Sequence, residues 1–179
     1  MFKKIPILMR KFKQWVSWDS EKRPYNPKKS QPFYASVTNP ETWGTFEQAV
    51  YAYQRFRLKG IGFVFTKNDP FVGVDIDNCI DPIKGTLTAD ALIIMSLLDS
   101  YTEESPSRTG LHIIFQGKLP FRGKQGEVFE IYHHGRYFTM TGHHYEVTPL
   151  TIENRDRQVE ELIKKYFPYF PIMKSPWKR

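Results

Sequence analysis

Residues 61–77, IGFVFTKNDPFVGVDID, contain two apolar runs on either side of a polar segment. The runs at 61–66 and 71–77 are rich in Val, Ile and Phe, which favour β-strands, and the residues between them have the composition of a turn. We therefore predict two strands joined as a β-hairpin. The second strand ends in two acids, Asp75 and Asp77, so the same segment contains candidate functional residues.

Patterns on both sides of this hairpin predict an α+β domain with a mainly antiparallel sheet, because helices and strands are interleaved along the chain. Further strands are predicted at 15–18, 111–116, 128–132 and 137–141, the last two forming a second hairpin around residues 133–135. Helices are predicted at 46–58, 89–99 and 153–166, with a short one within 4–14. Residues 19–40 include four prolines and are predicted to form an ordered loop.

The length and charge of the chain indicate one basic domain. The chain has 179 residues, and we expect residues 1–167 to form the domain and residues 168–179 to be a C-terminal tail. The formal net charge is +7, from 26 Lys and Arg against 19 Asp and Glu. Such an excess favours a polyanionic partner, although it also serves solubility alone. The aromatic share of 16% offers rings for the core and for stacking on nucleotide bases.

The cysteine count and the hydropathy of the chain exclude several classes of protein. The single cysteine, Cys79, excludes an intramolecular disulfide and a Cys-rich zinc site. No apolar run is long enough to span a bilayer, and the short apolar patch at 5–9 lacks a small-residue cleavage site after it. We therefore expect a cytoplasmic protein without a membrane partner.

Three acids are candidates for metal chemistry. Asp75 and Asp77 lie two residues apart on a strand, so their side chains are expected on the same face. Two carboxylates this close repel unless a cation lies between them, and Mg²⁺ prefers oxygen ligands. Glu130 lies within an apolar run, where a buried carboxylate needs a partner. Glu130 is expected either to join the two aspartates or to form a salt bridge with Arg136. Acids at a solvated strand end are the simpler alternative for the aspartates.

Residues 105–112, SPSRTGLH, form a turn rich in hydroxyl groups that leads into a strand. Backbone amides in such a turn can bind an anion, and Ser107, Arg108 and Thr109 add further donors. His112 begins the strand and can point at a phosphate. A plain loop with a structural histidine is the alternative.

The segment 135–142, GRYFTMTG, begins with glycine and arginine before a strand. The guanidinium of Arg136 can contact phosphates in a forked geometry, and Tyr137 can pack on a sugar. Tyr, Phe and Thr also favour strands in general, so an ordinary structural role is the alternative.

These segments, in this order, resemble the three motifs of the archaeo-eukaryotic primase superfamily: Asp75-Ile76-Asp77, then Ser107 with His112, then Glu130. Their surroundings resemble its phage- and plasmid-borne primase-polymerase branch. The segments that carry this likeness are QWVSW at 14–18, KRPYNP at 22–27, NPETWGTF at 39–46, GIGFVF at 60–65 and RYFTMTG at 136–142. The resemblance is collinear over about residues 5–165.

The resemblance implies an archaeo-eukaryotic primase fold, with an RRM-like, mainly antiparallel catalytic sheet, a smaller N-terminal α/β unit and an active site in the cleft between them. It implies that Asp75, Asp77 and Glu130 hold Mg²⁺ or Mn²⁺ and that His112 acts with them in catalysis. It also implies a nucleotide site in which Ser107 and His112 contact the incoming phosphates. The other residues expected in this nucleotide site are Lys22, Arg108, Thr109, Arg136 and Tyr137.

The activity that the resemblance implies is that of a DNA primase/polymerase: template-directed, metal-dependent nucleotidyl transfer in phage or plasmid replication, in the cytoplasm of a bacterial or phage-infected cell. The expected partners are a single-stranded DNA template and primer, nucleoside triphosphates and a replicative helicase. Relatives often continue into a small helical domain that helps initiation, so we expect this chain to extend primers better than it starts them, or to rely on a partner. The family usually has glycine at the position of Arg108, and arginine there can add a phosphate contact or narrow the pocket.

Two alternatives stay open. A catalytically inactive replication accessory on the same fold would bind nucleic acid without incorporating nucleotides. A nuclease could use the same acids with His133, His134, His143 or His144. Each of these pairs is adjacent in sequence, however, and adjacent side chains on a strand point in opposite directions.

Overall fold

The computed structural model describes residues 2–168, which form two antiparallel β-sheets and four α-helices. The strands are β1 Trp15–Trp18, β2 Pro24–Tyr25, β3 Gly60–Phe65, β4 Phe71–Ile76, β5 Tyr101–Glu104, β6 Leu111–Gln116, β7 Gly123–Gln125, β8 Glu130–Tyr132 and β9 Arg136–Met140. The helices are α1 Ile7–Arg10, α2 Phe46–Arg55, α3 Ala89–Leu98 and α4 Asp156–Tyr166, with 3₁₀ turns at Phe2–Lys4 and Pro40–Thr42. Sheet A has the order β2-β1-β3-β9, and sheet B has the order β5-β6-β4-β8-β7. These sheets confirm the predicted α+β class and the mainly antiparallel pairing.

Helix boundaries follow local hydrogen bonds. Thr45 caps α2 in a capping box with Gln48. α4 begins three residues later than predicted, because residues 153–155 pair with the end of β6 through the backbone of Gln116. No helix in the described range is long and apolar enough to cross a bilayer. Apart from Pro168, the predicted tail lies outside the described residues, and the domain boundary at 167 stays a prediction.

The two predicted hairpins are wrong, because the strands on either side of each turn belong to different sheets. β3 pairs with β1 and β9, whereas β4 pairs with β6 and β8. The Asp69 carboxylate stabilises the connection from β3 in sheet A to β4 in sheet B. It accepts hydrogen bonds from the Thr66 NH at 2.7 Å and the Phe71 NH at 2.9 Å. β8 and β9 separate in the same way around residues 133–135. A strand has two edges, and the pattern of one turn does not specify which strands occupy them.

The sequence pattern also does not predict β5 and β7, the edge strands of sheet B. β5 reads YTEE and β7 reads GKQ. Such short polar runs lack the apolar alternation that marks a strand. Three of the four β5 residues are nevertheless buried, so this strand contributes to the interior of the protein.

β4 has two differently packed faces, because side chains alternate along a strand. The face with Val74 packs in a buried cluster with α3 and α4. The face with Phe71 packs against side chains of β3 and β9 in sheet A. Gly73 lies on this second face beneath the ring of Phe138. Asp75 follows Gly73 on the same face and therefore points toward sheet A.

Candidate active site

A row of polar side chains crosses the face of sheet B that is turned toward sheet A. The strand register places His112 of β6 opposite Asp75 of β4, and Asp75 opposite Glu130 of β8. It also places Glu103 of β5 opposite His112. Directly opposed residues in an antiparallel pair project from the same face, with Cβ atoms about 4.5–5.5 Å apart. The fold therefore brings three of the predicted site residues together and adds Glu103 to them.

Asp75 lies at the centre of this row, and its surroundings disfavour an unpaired negative charge. Burial raises the pKa of its carboxyl group, the charges of Asp77 and Glu130 raise it further, and His112 opposes them. Its Oδ1 atom is buried and has no hydrogen-bond partner among the described residues. Such an oxygen is costly to leave unpaired, and a cation would satisfy it.

The other two predicted acids lie on either side of Asp75. Asp77 is exposed in the turn after β4, whereas Glu130 is partly buried at the start of β8.

His112 lies between two carboxylates, with its side chain 5% exposed. Its Nε2 atom is 3.6 Å from Oδ1 of Asp75, and its Nδ1 atom is 3.6 Å from Oε1 of Glu103. The ring also contacts Phe138, with 5.3 Å between the ring centroids. Burial alone lowers the pKa of His112, but the two carboxylates outweigh burial and the net shift is upward. Both ring nitrogens thus face carboxylates, and the buried Nδ1 atom has no hydrogen-bond partner within 3.5 Å among the described residues.

Glu103 is a site residue that the sequence pattern does not single out. Its carboxylate is fully buried and accepts hydrogen bonds from the Tyr101 hydroxyl at 2.7 Å, the Thr141 NH at 2.8 Å and the Gly142 NH at 2.9 Å. Thr141 and Gly142 follow β9, so Glu103 connects the end of sheet A to His112 in sheet B. The signal that could have identified it is the alternation in YTEE, which puts Tyr101 and Glu103 on one face of a strand.

The hydroxyl-rich turn before β6 lies beside the acids. Within it, Ser107 Oγ is 2.9 Å from Thr109 Oγ1. Gly110 packs so closely against the end of β4 that a Cβ atom there would lie 2.8 Å from the Ile76 carbonyl oxygen. This contact places the turn next to Asp77. The hydroxyl groups and amides of the turn can therefore contact the same bound molecule as the acids.

Arg108 occupies this turn with a φ of +62°, in the left-handed region that side chains other than glycine rarely adopt. Glycine would take this conformation without strain. The Arg108 side chain is 65% exposed and forms a loose ion pair with Glu104 at 3.7 Å. Its guanidinium is therefore accessible to an anionic ligand.

A cavity of about 470 Å³ opens beside the row, between strand residues of sheet A and the hydroxyl-rich turn that precedes β6. Lys22 and Ser107, both predicted for the nucleotide site, line it together with Lys59 and His143, which the sequence pattern does not single out. The Lys22 carbonyl accepts a hydrogen bond from the Tyr137 hydroxyl, which holds this basic residue against β9. Two lysines make the cavity favourable for an anion.

Arg136 contacts Tyr132, two residues after Glu130 on β8. Its guanidinium carbon lies 4.9 Å from the Tyr132 ring centroid, and the guanidinium donates a hydrogen bond to the Tyr132 hydroxyl at 3.2 Å. Within residues 2–168, no ion pair joins Arg136 to Glu130, so the predicted alternative salt bridge is absent from the described range. Arg136 remains exposed at the end of the row.

Comparison with known proteins gives one informative similarity. No protein-family model matches the chain. A DNA primase-polymerase from Nitratiruptor phage NrS-1 is 39% identical to it over 153 aligned residues, which cover 79% of this chain. The chain is similar to a phage primase-polymerase. The alignment covers 21% of that relative, so the chain spans about a fifth of the relative's length. This similarity supports a primase-polymerase type.

The carboxylates fit the divalent metal that a primase-polymerase type implies, but they do not form a complete site by themselves. Among residues 2–168, no group of three or more His, Cys, Asp or Glu side chains converges closely enough to hold a metal ion. Mg²⁺ commonly takes one or two carboxylates and completes its shell with water and substrate phosphates. The unpaired Oδ1 of Asp75, with Asp77 and Glu130 nearby, suits such a partial set. The metal-binding roles of these acids stay predictions.

The four histidines of the nuclease alternative do not join the row of polar side chains on sheet B. His133 and His134 contact each other, with 4.5 Å between ring centroids, and burial lowers the pKa of His133 to about 4. His144 stacks on Tyr101, with ring centroids 5.7 Å apart. His143 lines the cavity. These positions give a histidine-dependent nuclease no support.

Proposed function

We propose that the chain is a DNA primase/polymerase that carries out template-directed, metal-dependent nucleotidyl transfer from nucleoside triphosphates. The observation that carries this proposal is the row formed by Glu103, His112, Asp75 and Glu130 on one face of sheet B. The hydroxyl-rich turn lies at one end of this row, and a cavity lined by two lysines lies beside it. The similarity to a phage DNA primase-polymerase points to the same class of reaction.

In this proposal, Asp75, Asp77 and Glu130 would hold Mg²⁺ or Mn²⁺. Bound metal ions would activate the attacking 3′ hydroxyl and neutralise charge on the triphosphate. The buried and unpaired Oδ1 of Asp75 is the observation in favour, since both ions prefer oxygen ligands.

The triphosphate of the incoming nucleotide would lie against the turn and the cavity. Ser107 and Thr109 offer hydroxyl donors there, and Lys22 and His112 offer positive charge. As the bond to the α-phosphate breaks, negative charge collects on the leaving pyrophosphate. Donors that are already in place stabilise this charge without reorganising.

Arg108 and Arg136 would contact the same nucleotide from the rim of the site. Both guanidinium groups are exposed and can turn toward phosphates. The Tyr137 ring packs with Val16, Trp43 and Val64 on the face of sheet A opposite Phe138, so its part in the proposal is to position Lys22 through the bond from its hydroxyl to the Lys22 carbonyl. A replicative helicase would be the partner of the chain in phage or plasmid replication, in the cytoplasm of a bacterial or phage-infected cell.

The experiment is nucleotide incorporation on a bare single-stranded DNA template, with or without a primer, in Mg²⁺ or Mn²⁺. We expect Asp75→Asn, Asp77→Asn and Glu130→Gln each to reduce incorporation by about 10²-fold or more, because each removes a charge needed in the transition state. Glu161→Gln, on the exposed side of α4, is the matched control and should keep full activity. Full activity in Asp75→Asn would refute the proposed site.

The same assay separates the alternatives. An inactive replication accessory would bind the single strand and incorporate nothing under any condition. A nuclease would shorten labelled DNA in the presence of metal and in the absence of triphosphates. Extension of a primer without new starts on the bare template would agree with the expected preference for extension.

A further inference from the structure

The edge of sheet A next to β2 presents two large aromatic side chains to solvent. Phe33 is 66% exposed and Tyr34 is 52% exposed. Both belong to a short extended segment that pairs with β2. The Asn26 NH donates to the Phe33 carbonyl at 2.7 Å, and the Ala35 NH donates to the Pro24 carbonyl at 2.7 Å. These bonds attach the backbone of both aromatic residues to the sheet edge.

The Tyr34 ring is also held by neighbouring side chains. Its centroid lies 4.8 Å from that of Tyr25, its partner across the strand pair, and the Arg23 guanidinium carbon lies 5.1 Å from its ring. Arg23 is ion-paired in turn with Asp19 at 2.8 Å and Glu21 at 3.1 Å. Consecutive side chains of an extended segment project from opposite faces, so Phe33 and Tyr34 place one exposed ring on each face of the anchored sheet edge, and each ring can stack on a base.

The loop that joins β2 to this segment supplies positive charge. Lys28 and Lys29 are exposed, and within the described part of the chain neither forms an ion pair with an acid. The Asn26 side chain accepts a hydrogen bond from the Lys28 NH at 3.0 Å, which orders the loop. Because Arg23 is already paired with two acids, Lys28 and Lys29 are the charges that a ligand can use.

The chain leads from the candidate active site directly into this sheet edge. Lys22 immediately precedes Arg23 and β2, and it lines the cavity together with Ser107. Its carbonyl is bonded to Tyr137 of β9, which fixes the chain at this point. A nucleic-acid strand that leaves the cavity past Lys22 would therefore run along β2 toward the exposed rings.

We propose that Lys28, Lys29, Phe33 and Tyr34, together the β2 patch, bind single-stranded DNA. Bases stack on the exposed ring at either face of this sheet edge, and the backbone phosphates contact the two lysines. Stacking of this kind needs open base faces, which a single strand offers and a duplex does not. The inference rests on the proposed function in one respect, namely that the bound strand is the template on its path to or from the active site.

The test is fluorescence anisotropy of a labelled oligothymidylate with the full chain at several salt concentrations. Phe33→Ala combined with Tyr34→Ala should weaken binding about tenfold because stacking is removed, and should leave the slope of log affinity against log salt unchanged. Lys28→Ala combined with Lys29→Ala should also weaken binding and should reduce that slope by roughly 1.4, about 0.7 for each single-strand phosphate that a lysine no longer neutralises.

Matched controls remove similar side chains elsewhere. Tyr51→Ala removes an aromatic residue that is 58% exposed on α2, and Lys164→Ala with Lys165→Ala removes two lysines from α4. Both controls should bind like the parent chain. Unchanged affinity in both β2-patch variants, equally weakened binding in the controls, or a parent chain that does not bind the oligonucleotide would overturn the inference. Binding of polyglutamate that depends equally on the β2 patch would assign the surface to an acidic protein segment instead and would also overturn it.

This outcome is separable from that of the proposed function. Asp75→Asn should bind oligothymidylate like the parent and show the reduction in incorporation of about 10²-fold or more given above. If the parent incorporates nucleotides but the β2-patch variants bind like the parent, only this inference fails. If the β2-patch variants lose DNA binding but the parent incorporates nothing, the β2 patch stands and the proposed function fails.

Discussion

The carboxylate of Glu103 accepts three hydrogen bonds and lies 3.6 Å from His112, with no exposure to solvent. Because its donors come from β5 and from the residues that follow β9, the carboxylate is held by elements of both sheets. His112 is held from the other side by Asp75. At the scale of single residues, the direction of His112 is thus set by two acids, only one of which is a candidate metal ligand.

Replacement of Glu103 by Gln is predicted to destabilise the fold. The amide oxygen can keep part of the hydrogen bonding, but the NH₂ group then faces a backbone NH and leaves a buried donor unpaired. We expect the free energy of unfolding to fall by about 1–3 kcal/mol, measured by chemical denaturation. The control is Glu104→Gln, a partly exposed neighbour, which should change stability by less than about 0.5 kcal/mol. Equal effects of the two changes would contradict a special role for Glu103.

The same substitution has a predicted pH signature. The folded pKa of His112 lies above its ordinary value of 6.5, so its contribution to stability is complete below that value and is lost as pH rises through the folded pKa. Glu103→Gln removes one of the two carboxylates responsible for the upward shift. The stability difference between parent and variant should therefore be larger near about pH 6 than near about pH 9. Proton NMR of the imidazole ring should show a lower His112 pKa in the variant.

Arg108→Gly is predicted to stabilise the protein, because Arg108 has a left-handed φ of +62°. Relief of this conformation should add about 1 kcal/mol to the free energy of unfolding, reduced somewhat by the greater freedom of glycine in the unfolded chain. Arg108→Ala is the matched control, since it also removes the ion pair with Glu104 but retains a Cβ atom. If alanine stabilises the fold as much as glycine, backbone strain is not the cause.

At the scale of elements, β4 serves both the core and the site. One of its faces packs against α3 and α4, and the other carries Phe71, Gly73 and Asp75 toward sheet A. Gly73 leaves room for Phe138 of β9, and Phe138 in turn packs on His112. The position of the histidine therefore depends on the spacing of two strands that belong to different sheets.

Gly73→Ala is predicted to disturb this packing. The added Cβ atom would lie 2.6 Å from the buried ring of Phe138, which cannot move without displacing its neighbours. We expect a decrease of about 1–3 kcal/mol in the free energy of unfolding, typical of an overpacked core. Combining Gly73→Ala with Phe138→Leu should recover part of this stability. Purely additive effects in the double variant would argue against this contact as the cause.

At the scale of the whole molecule, the candidate site exists only where the two sheets meet. Lys22 precedes β2 of sheet A, whereas Ser107 belongs to the turn before β6 of sheet B, and both line one cavity. Glu103 joins the same sheets from the interior. A ligand that contacts both sides of the cavity would therefore stabilise the packing of one sheet on the other.

Addition of a deoxynucleoside triphosphate with Mn²⁺ is predicted to raise the thermal midpoint, because the ligand binds only the folded chain. At a concentration of 100 times Kd the gain is about 2.7 kcal/mol, which corresponds to roughly 5–10 °C for a chain of this size. Differential scanning fluorimetry measures this shift. Removal of metal with EDTA, or Asp75→Asn, should reduce it. If the midpoint rises equally in the parent with Mn²⁺, in the parent with EDTA and in Asp75→Asn with Mn²⁺, the acids take no part in binding.

The sequence pattern predicts the positions of β3, β4, β6 and β9 to within about a residue. It also places Asp77 on the strand face of Asp75, whereas β4 ends at Ile76 and Asp77 lies in the turn that follows. It does not predict β5, because YTEE has too few apolar residues, and it therefore does not identify Glu103. Burial of that carboxylate depends on donors from Thr141 and Gly142, which are remote in sequence.

Local pattern was thus sufficient for the α+β class and for most individual strands, because strand alternation involves only consecutive residues. Tertiary structure alone decided that β3 and β4 enter different sheets, and that His112 stands between Asp75 and Glu103. Pairing and register are set by how whole faces bury against each other, and no short window of sequence contains that information.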